Sequence, residues 1–211
     1  YDEFEPLWRF YCNMYQGGRE AINNNIFRHQ REREEDFNDR VTRASYMNFC
    51  EVTTDYYTNF IFSDTIERDG GKQEKFYQDF LADVNLKGDS IDSFMLQVSN
   101  EARIFGMLYL LVESPQKPAE LQTKQQEEDF GFRPYWVLMQ PSEILDWNTD
   151  KFDKYTYLKR QSFSTEIDVS TNTRQEYEVY TEYTPTTIII TRIDVSERKK
   201  PVIIDVQQIP N

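Results

Sequence analysis

The segment EYEVYTEYT, residues 176–184, decides the fold class of the second half of the chain. Four of its side chains, Tyr177, Val179, Thr181 and Tyr183, alternate with three glutamates and a tyrosine. A period of two is typical of a half-buried β-strand, because successive side chains of a strand point to opposite faces of a sheet. We therefore expect a strand here, with these four side chains on one of its faces.

Further strands are predicted on both sides of this segment. Runs rich in β-branched and aromatic residues occupy residues 134–141, 153–163, 186–194 and 201–208, and turn-like Asn-Thr, Thr-Pro and Glu-Arg-Lys-Lys connections join several of them. Short strands joined in this way are typical of an antiparallel meander. Residues 103–112, with the apolar run IFGMLYLLV, indicate a further, buried strand.

The first half of the chain has the periodicity of helices. Apolar residues recur at steps of mostly three to five over residues 32–60 without a glycine or proline, which predicts one long helix or two helices in line. A helix with an apolar face is expected over residues 91–102, capped by Ser90 or Asp89. The predicted class is thus α+β, with N-terminal helices, one of them long, in residues 1–102, followed by a mostly antiparallel β-meander in residues 103–211.

Composition excludes several classes of function. The chain has 211 residues, 37 acidic and 24 basic, for a formal charge of −13, and such a field repels DNA and anionic membranes unless a basic patch is segregated from it. Aromatic residues make up 15%, which is too many for a disordered chain. The longest apolar run falls far short of the ~20 residues needed to cross a bilayer, so we expect no membrane contact.

The arginine-rich stretch of residues 28–43 could suggest a nucleic-acid-binding site. It holds five arginines and five acids, so its local charge is near zero, whereas a phosphate grip needs an excess of positive charge. The acids crowd a predicted helix start, where the macrodipole favours them, and Asp36 with Arg40 and Asp39 with Arg43 have the i,i+4 spacing of ion pairs. We interpret the charges as structural, and the aromatic TTDYYTNFIF that follows, residues 53–62, as a packed helix end.

Residues that could perform chemistry are sparse. His29 is the sole histidine, and Cys12 and Cys50 lack metal-like spacing, so we expect no metal, no cofactor and no enzyme activity. Two alternatives built on acidic residues remain open: a magnesium-dependent nuclease, and a carbohydrate-binding or carboxylate-dependent glycoside hydrolase module. In the second, tryptophans would stack on sugar while two carboxyls act as acid and base, with the residues Trp136, Trp147, Glu143 and Asp146.

The order of these segments resembles the N-terminal part of tailed-bacteriophage portal proteins, the head-to-tail connectors. An aromatic helix and loop come first, then a charged segment that leads into a long helix, then a helix, a strand and a second strand that ends in a turn. The stretches that carry the resemblance are LWRFYCNMYQGGREAI, RHQREREEDFNDRVTRASYMNF, YYTNFIFSDTI, NLKGDSIDSFMLQVSNEARIFGMLYLLVESP and RPYWVLMQPSEILDW. The turn of the last stretch carries Pro141, Glu143, Ile144 and Trp147.

The resemblance implies a non-enzymatic subunit of a ring, typically a dodecamer, at the capsid vertex of a virion assembled in the host cytoplasm. Double-stranded DNA would pass through the ring, without sequence-specific binding, during packaging and ejection. The implied partners are other copies of the chain, capsid and scaffolding proteins, the terminase packaging motor, and head-completion or tail adaptor proteins. Residues 1–102 and 103–211 would form the helical and β-rich parts of the portal wing, and we expect the stem, clip and crown to lie elsewhere in a longer polypeptide.

Ring subunits need large lateral surfaces, for which aromatic residues and arginines are favoured. We therefore expect the following residues to support subunit contacts or wing packing: Arg28, Arg31, Arg40, Arg43, Trp8, Tyr11 and Trp147.

Overall fold

The structure, a computed structural model, describes residues 2–68, 75–115, 123, 125–126, 130–168, 173–195 and 202–210. The chain divides into two compact units. The helical unit is Phe4–Pro141, and the sheet unit is Ser142–Asn211 together with Tyr1–Glu3. The predicted α+β class, with N-terminal helices followed by a mostly antiparallel meander, is confirmed.

Six α-helices and two strands form the described part of the helical unit. They are α1 (Glu5–Gln16), α2 (Gly18–Asn25), α3 (Glu34–Arg43), α4 (Phe49–Ile61), α5 (Lys75–Ala82), α6 (Ile91–Phe105), β1 (Tyr109–Glu113) and β2 (Tyr135–Met139). The two strands pair antiparallel with each other. The predicted change from helical to β-rich sequence at residue 102 therefore falls inside the helical unit, and the two compact units meet in sequence at Pro141 and Ser142.

Of the two alternatives predicted for residues 32–60, the single long helix is wrong, and the chain forms two helices, because α3 ends at Arg43 and α4 begins at Phe49. No glycine or proline causes the break. Instead the intervening segment is held against the end of α1: the Tyr46 hydroxyl donates to the Met14 carbonyl at 2.8 Å, and the Asn48 amide donates to the Tyr15 carbonyl at 2.6 Å. These tertiary hydrogen bonds anchor the segment between α3 and α4 to the end of α1.

Asn48 also caps α4. Its side-chain oxygen accepts a hydrogen bond from the Glu51 backbone N–H at 3.1 Å, while its amide group donates to the Glu51 carboxylate at 2.9 Å. An Asn three residues before a Glu is a capping signal in the sequence itself. The close approach also constrains Gly17, where φ is +67° and an added Cβ would lie 2.8 Å from the Asn48 amide nitrogen.

The best-buried part of the helical unit lies between α5, α6 and β2. Val84, Ile91 and Phe94 are 0%, 8% and 3% exposed, and Trp136 packs against Phe94 with ring centroids 5.9 Å apart. The prediction of a buried strand over residues 103–112 is wrong in its extent and its burial. Helix α6 continues through Phe105 and ends at Gly106 in the left-handed conformation, and the strand that follows begins only at Tyr109 and alternates between half-buried and exposed side chains.

The sheet unit contains a five-stranded antiparallel meander. Its strands, each hydrogen-bonded to the next, are β3 (Ile144–Thr149), β4 (Tyr155–Asp168), β5 (Thr173–Tyr183), β6 (Thr187–Asp194) and β7 (Val202–Pro210). The register places Leu158, Tyr183, Ile188 and Ile209 in one row across four strands. The strand predicted for the EYEVYTEYT segment is confirmed, but its alternation is seen only where Tyr177, 6% exposed, follows the exposed Glu176, since residues 178–183 are all half-buried.

Candidate subunit-contact surface

Arg40 on α3 makes its contacts within the chain. Its guanidinium donates two hydrogen bonds to the Glu32 carboxylate, at 2.9 and 2.8 Å, and a third to the Phe27 carbonyl at 2.9 Å. The same group lies 5.4 Å from the centroid of the Phe37 ring. The hydrogen bond from Arg40 lowers the pKa of Glu32 to about 2, because it favours the charged carboxylate. Arg40 therefore fastens the segment before α3 onto that helix.

The other predicted arginines differ in their contacts. Arg43 pairs with Asp39, as the i,i+4 spacing predicts, with one N–O distance of 3.0 Å. The predicted pairing of Asp36 with Arg40 is wrong, since Asp36 pairs with Arg33 at 2.8 Å and Arg40 reaches back eight residues to Glu32. Two further arginines lie in the segment before α3. The Arg28 side chain donates to the Glu32 backbone carbonyl at 2.9 Å, and Arg31 is exposed.

The three predicted aromatic residues lie in different environments. Trp8 on α1 is 9% exposed and stacks on Phe4 with centroids 6.0 Å apart, so it serves packing inside the helical unit. Tyr11, also on α1, is 43% exposed beside Phe10. Trp147 is 44% exposed and belongs to the sheet unit, on β3. Tyr11 and Trp147 thus present open surface, and their role in subunit contacts stays a prediction.

A more prominent surface lies on α4, where the predicted packed helix end is wrong. Phe49, Val52, Tyr56 and Phe60 fall on one side of the helix at steps of three and four, and each is between 64% and 69% exposed. Tyr57 and Ile61 flank them at 54% and 55% exposure. We call these six residues the α4 stripe. The aromatic end of the segment is therefore largely exposed, although Phe62 is half-buried and the Arg103 guanidinium lies 5.8 Å from the centroid of the Tyr57 ring.

The opposite side of α4 is polar and faces inward. The Tyr15 hydroxyl of α1 donates to the Asp55 carboxylate at 2.8 Å and accepts from the Asn100 amide of α6 at 2.8 Å. Thr58 is 2% exposed, and its hydroxyl donates to the side-chain amide oxygen of Asn100 at 3.2 Å. Burial, followed by the hydrogen bond to Asp55, raises the pKa of Tyr15. Three helices thus meet through a hydrogen-bonded network, and the apolar side of α4 is left outside.

This inverted arrangement was missed in the sequence analysis. The periodicity of α4 shows an apolar side and a polar side, and an apolar side is ordinarily the buried one. The polar side of α4 was the feature that could have predicted this arrangement. Asp55 and Thr58 lie three residues apart on that side, and they can face a neighbouring helix only if that helix offers hydrogen-bond partners.

The carboxylates of the carbohydrate alternative have partners of their own. Glu143 accepts a hydrogen bond from Arg160 Nε at 2.8 Å and forms an ion pair with Arg160 Nη2 at 2.7 Å, and Asp146 accepts a hydrogen bond from the Trp147 backbone N–H at 2.9 Å. Trp136 packs against Phe80 and Phe94 in the other unit. Of the residues named for that alternative, Trp147 offers the open ring. Within the described ranges, no group of three or more His, Cys, Asp or Glu residues could hold a metal ion.

Comparison of the sequence with models of protein families and with curated proteins gives no match. None of the helices in the described part of the chain has both the length and the apolar character that a bilayer crossing needs.

Proposed function

We propose that this chain is part of a structural subunit of a portal-type ring, a closed assembly of identical copies at a capsid vertex. Double-stranded DNA passes through such a ring during packaging and ejection, and the tail attaches to it. The work of the subunit is architectural, and its partners are its own copies, the capsid and scaffolding proteins, the terminase motor and the tail adaptors.

The observation that carries the proposal is the surplus of exposed apolar surface. Among the described residues, large hydrophobic side chains that are exposed outnumber buried hydrophobic residues by more than two to one. They include aromatic residues in both units, such as Phe27, Phe60, Phe152 and Phe163, which are 69% to 79% exposed. A surplus of this size favours a chain that covers part of its apolar surface in an assembly, and a ring subunit meets a neighbour on each of two sides.

The charge distribution supports a conduit for DNA. The net charge is −13, so the surface offers DNA few cationic contacts to its phosphates. Such contacts would release counterions, bind the DNA and slow its movement through the ring. The arginines at the start of α3 and within it add no DNA-binding site, because Arg33, Arg40 and Arg43 are paired with carboxylates of the same chain.

The test uses the full-length product that contains this segment. Mass photometry and negative-stain electron microscopy of the purified protein should show a closed ring with a central hole wide enough for a DNA duplex. A compact monomer at the same concentrations would refute the proposal. A glycan-binding screen provides the contrast with the carbohydrate alternative, since a specific hit that disappears in Trp147→Ala would favour that alternative.

A further inference from the structure

We draw no further inference here: the strongest candidate, the exposed apolar surface patch that the α4 stripe forms on the outer side of α4, carries none, because nothing in the part of the chain that the structure describes shows what covers it.

Discussion

Replacement of Asn48 tests the account of why α3 and α4 are separate helices. The side chain has two tasks, since its oxygen caps α4 at the Glu51 N–H and its amide ties the segment before α4 to the Tyr15 carbonyl. Asn48→Ser keeps a capping oxygen and loses the tie, which should cost about 1 kcal/mol, the usual net value of one hydrogen bond. Asn48→Ala loses the cap as well, which adds about 1 kcal/mol and brings the total to about 2 kcal/mol.

The assay is urea unfolding followed by far-UV circular dichroism, which reports the helical unit because the described α-helices all belong to it. Asn59→Ala, at an exposed position within α4, is the matched control and should change the free energy of unfolding by less than about 0.7 kcal/mol, in the stabilising direction. Equal losses in the serine and alanine variants would show that the cap contributes nothing. Losses no larger than the effect of the control would refute the tie to α1 too.

Three further outcomes are expected from the same unfolding assay. Tyr15→Phe removes the hydroxyl that joins α1 to α4 and α6 and leaves the Asn100 amide short of an acceptor, so it should cost about 1–2 kcal/mol; no loss would show that solvent replaces the network. Phe94→Ala, at a position 3% exposed, should cost about 3–5 kcal/mol, while Phe49→Ala on the stripe should cost far less in the monomer; equal costs would contradict the burial described for the two sites. The pKa of Glu32 is about 2, against an ordinary 4.5, so its carboxylate contributes stability that is complete above the ordinary value and is lost as the pH falls toward 2; Glu32→Gln should lack this part of the pH dependence, and an unchanged acid profile would refute it.

Local patterns in the sequence predicted the sheet unit well. Each strand follows from local sequence and the turns between strands are short, so neighbours in sequence became neighbours in the meander, although the burial of residues 178–183 does not alternate as predicted. The same local logic left one helix or two open for residues 32–60, because the hydrogen bonds of Tyr46 and Asn48 that hold the break at residues 44–48 reach α1 more than thirty residues away. Only the capping signal of Asn48 and Glu51 was readable beforehand.

For the candidate surface, too, local sequence predicted part of the arrangement, and the rest depended on residues far away in the chain. Helical periodicity collected Phe49, Val52, Tyr56 and Phe60 on one side of α4, but it could not say whether that side would be covered. Which side of α4 is covered depends on Asn100, forty-two residues beyond Thr58. The hydrogen bond between these two side chains places the polar side of α4 inward. The partner of Arg40 was hidden for a similar reason, since Glu32 lies eight residues back and outside the helix.

The polar joint of α1, α4 and α6 has a consequence for the shape of an assembly. Apolar helix contacts tolerate some rotation of one helix about its axis, whereas hydrogen bonds weaken steeply when their angles change. The bonds at Tyr15 and Thr58 therefore set the direction in which α4 points. In a closed ring, a change in the orientation of α4 would repeat in every copy and prevent closure. These few bonds would therefore help to set the rotation between neighbouring subunits.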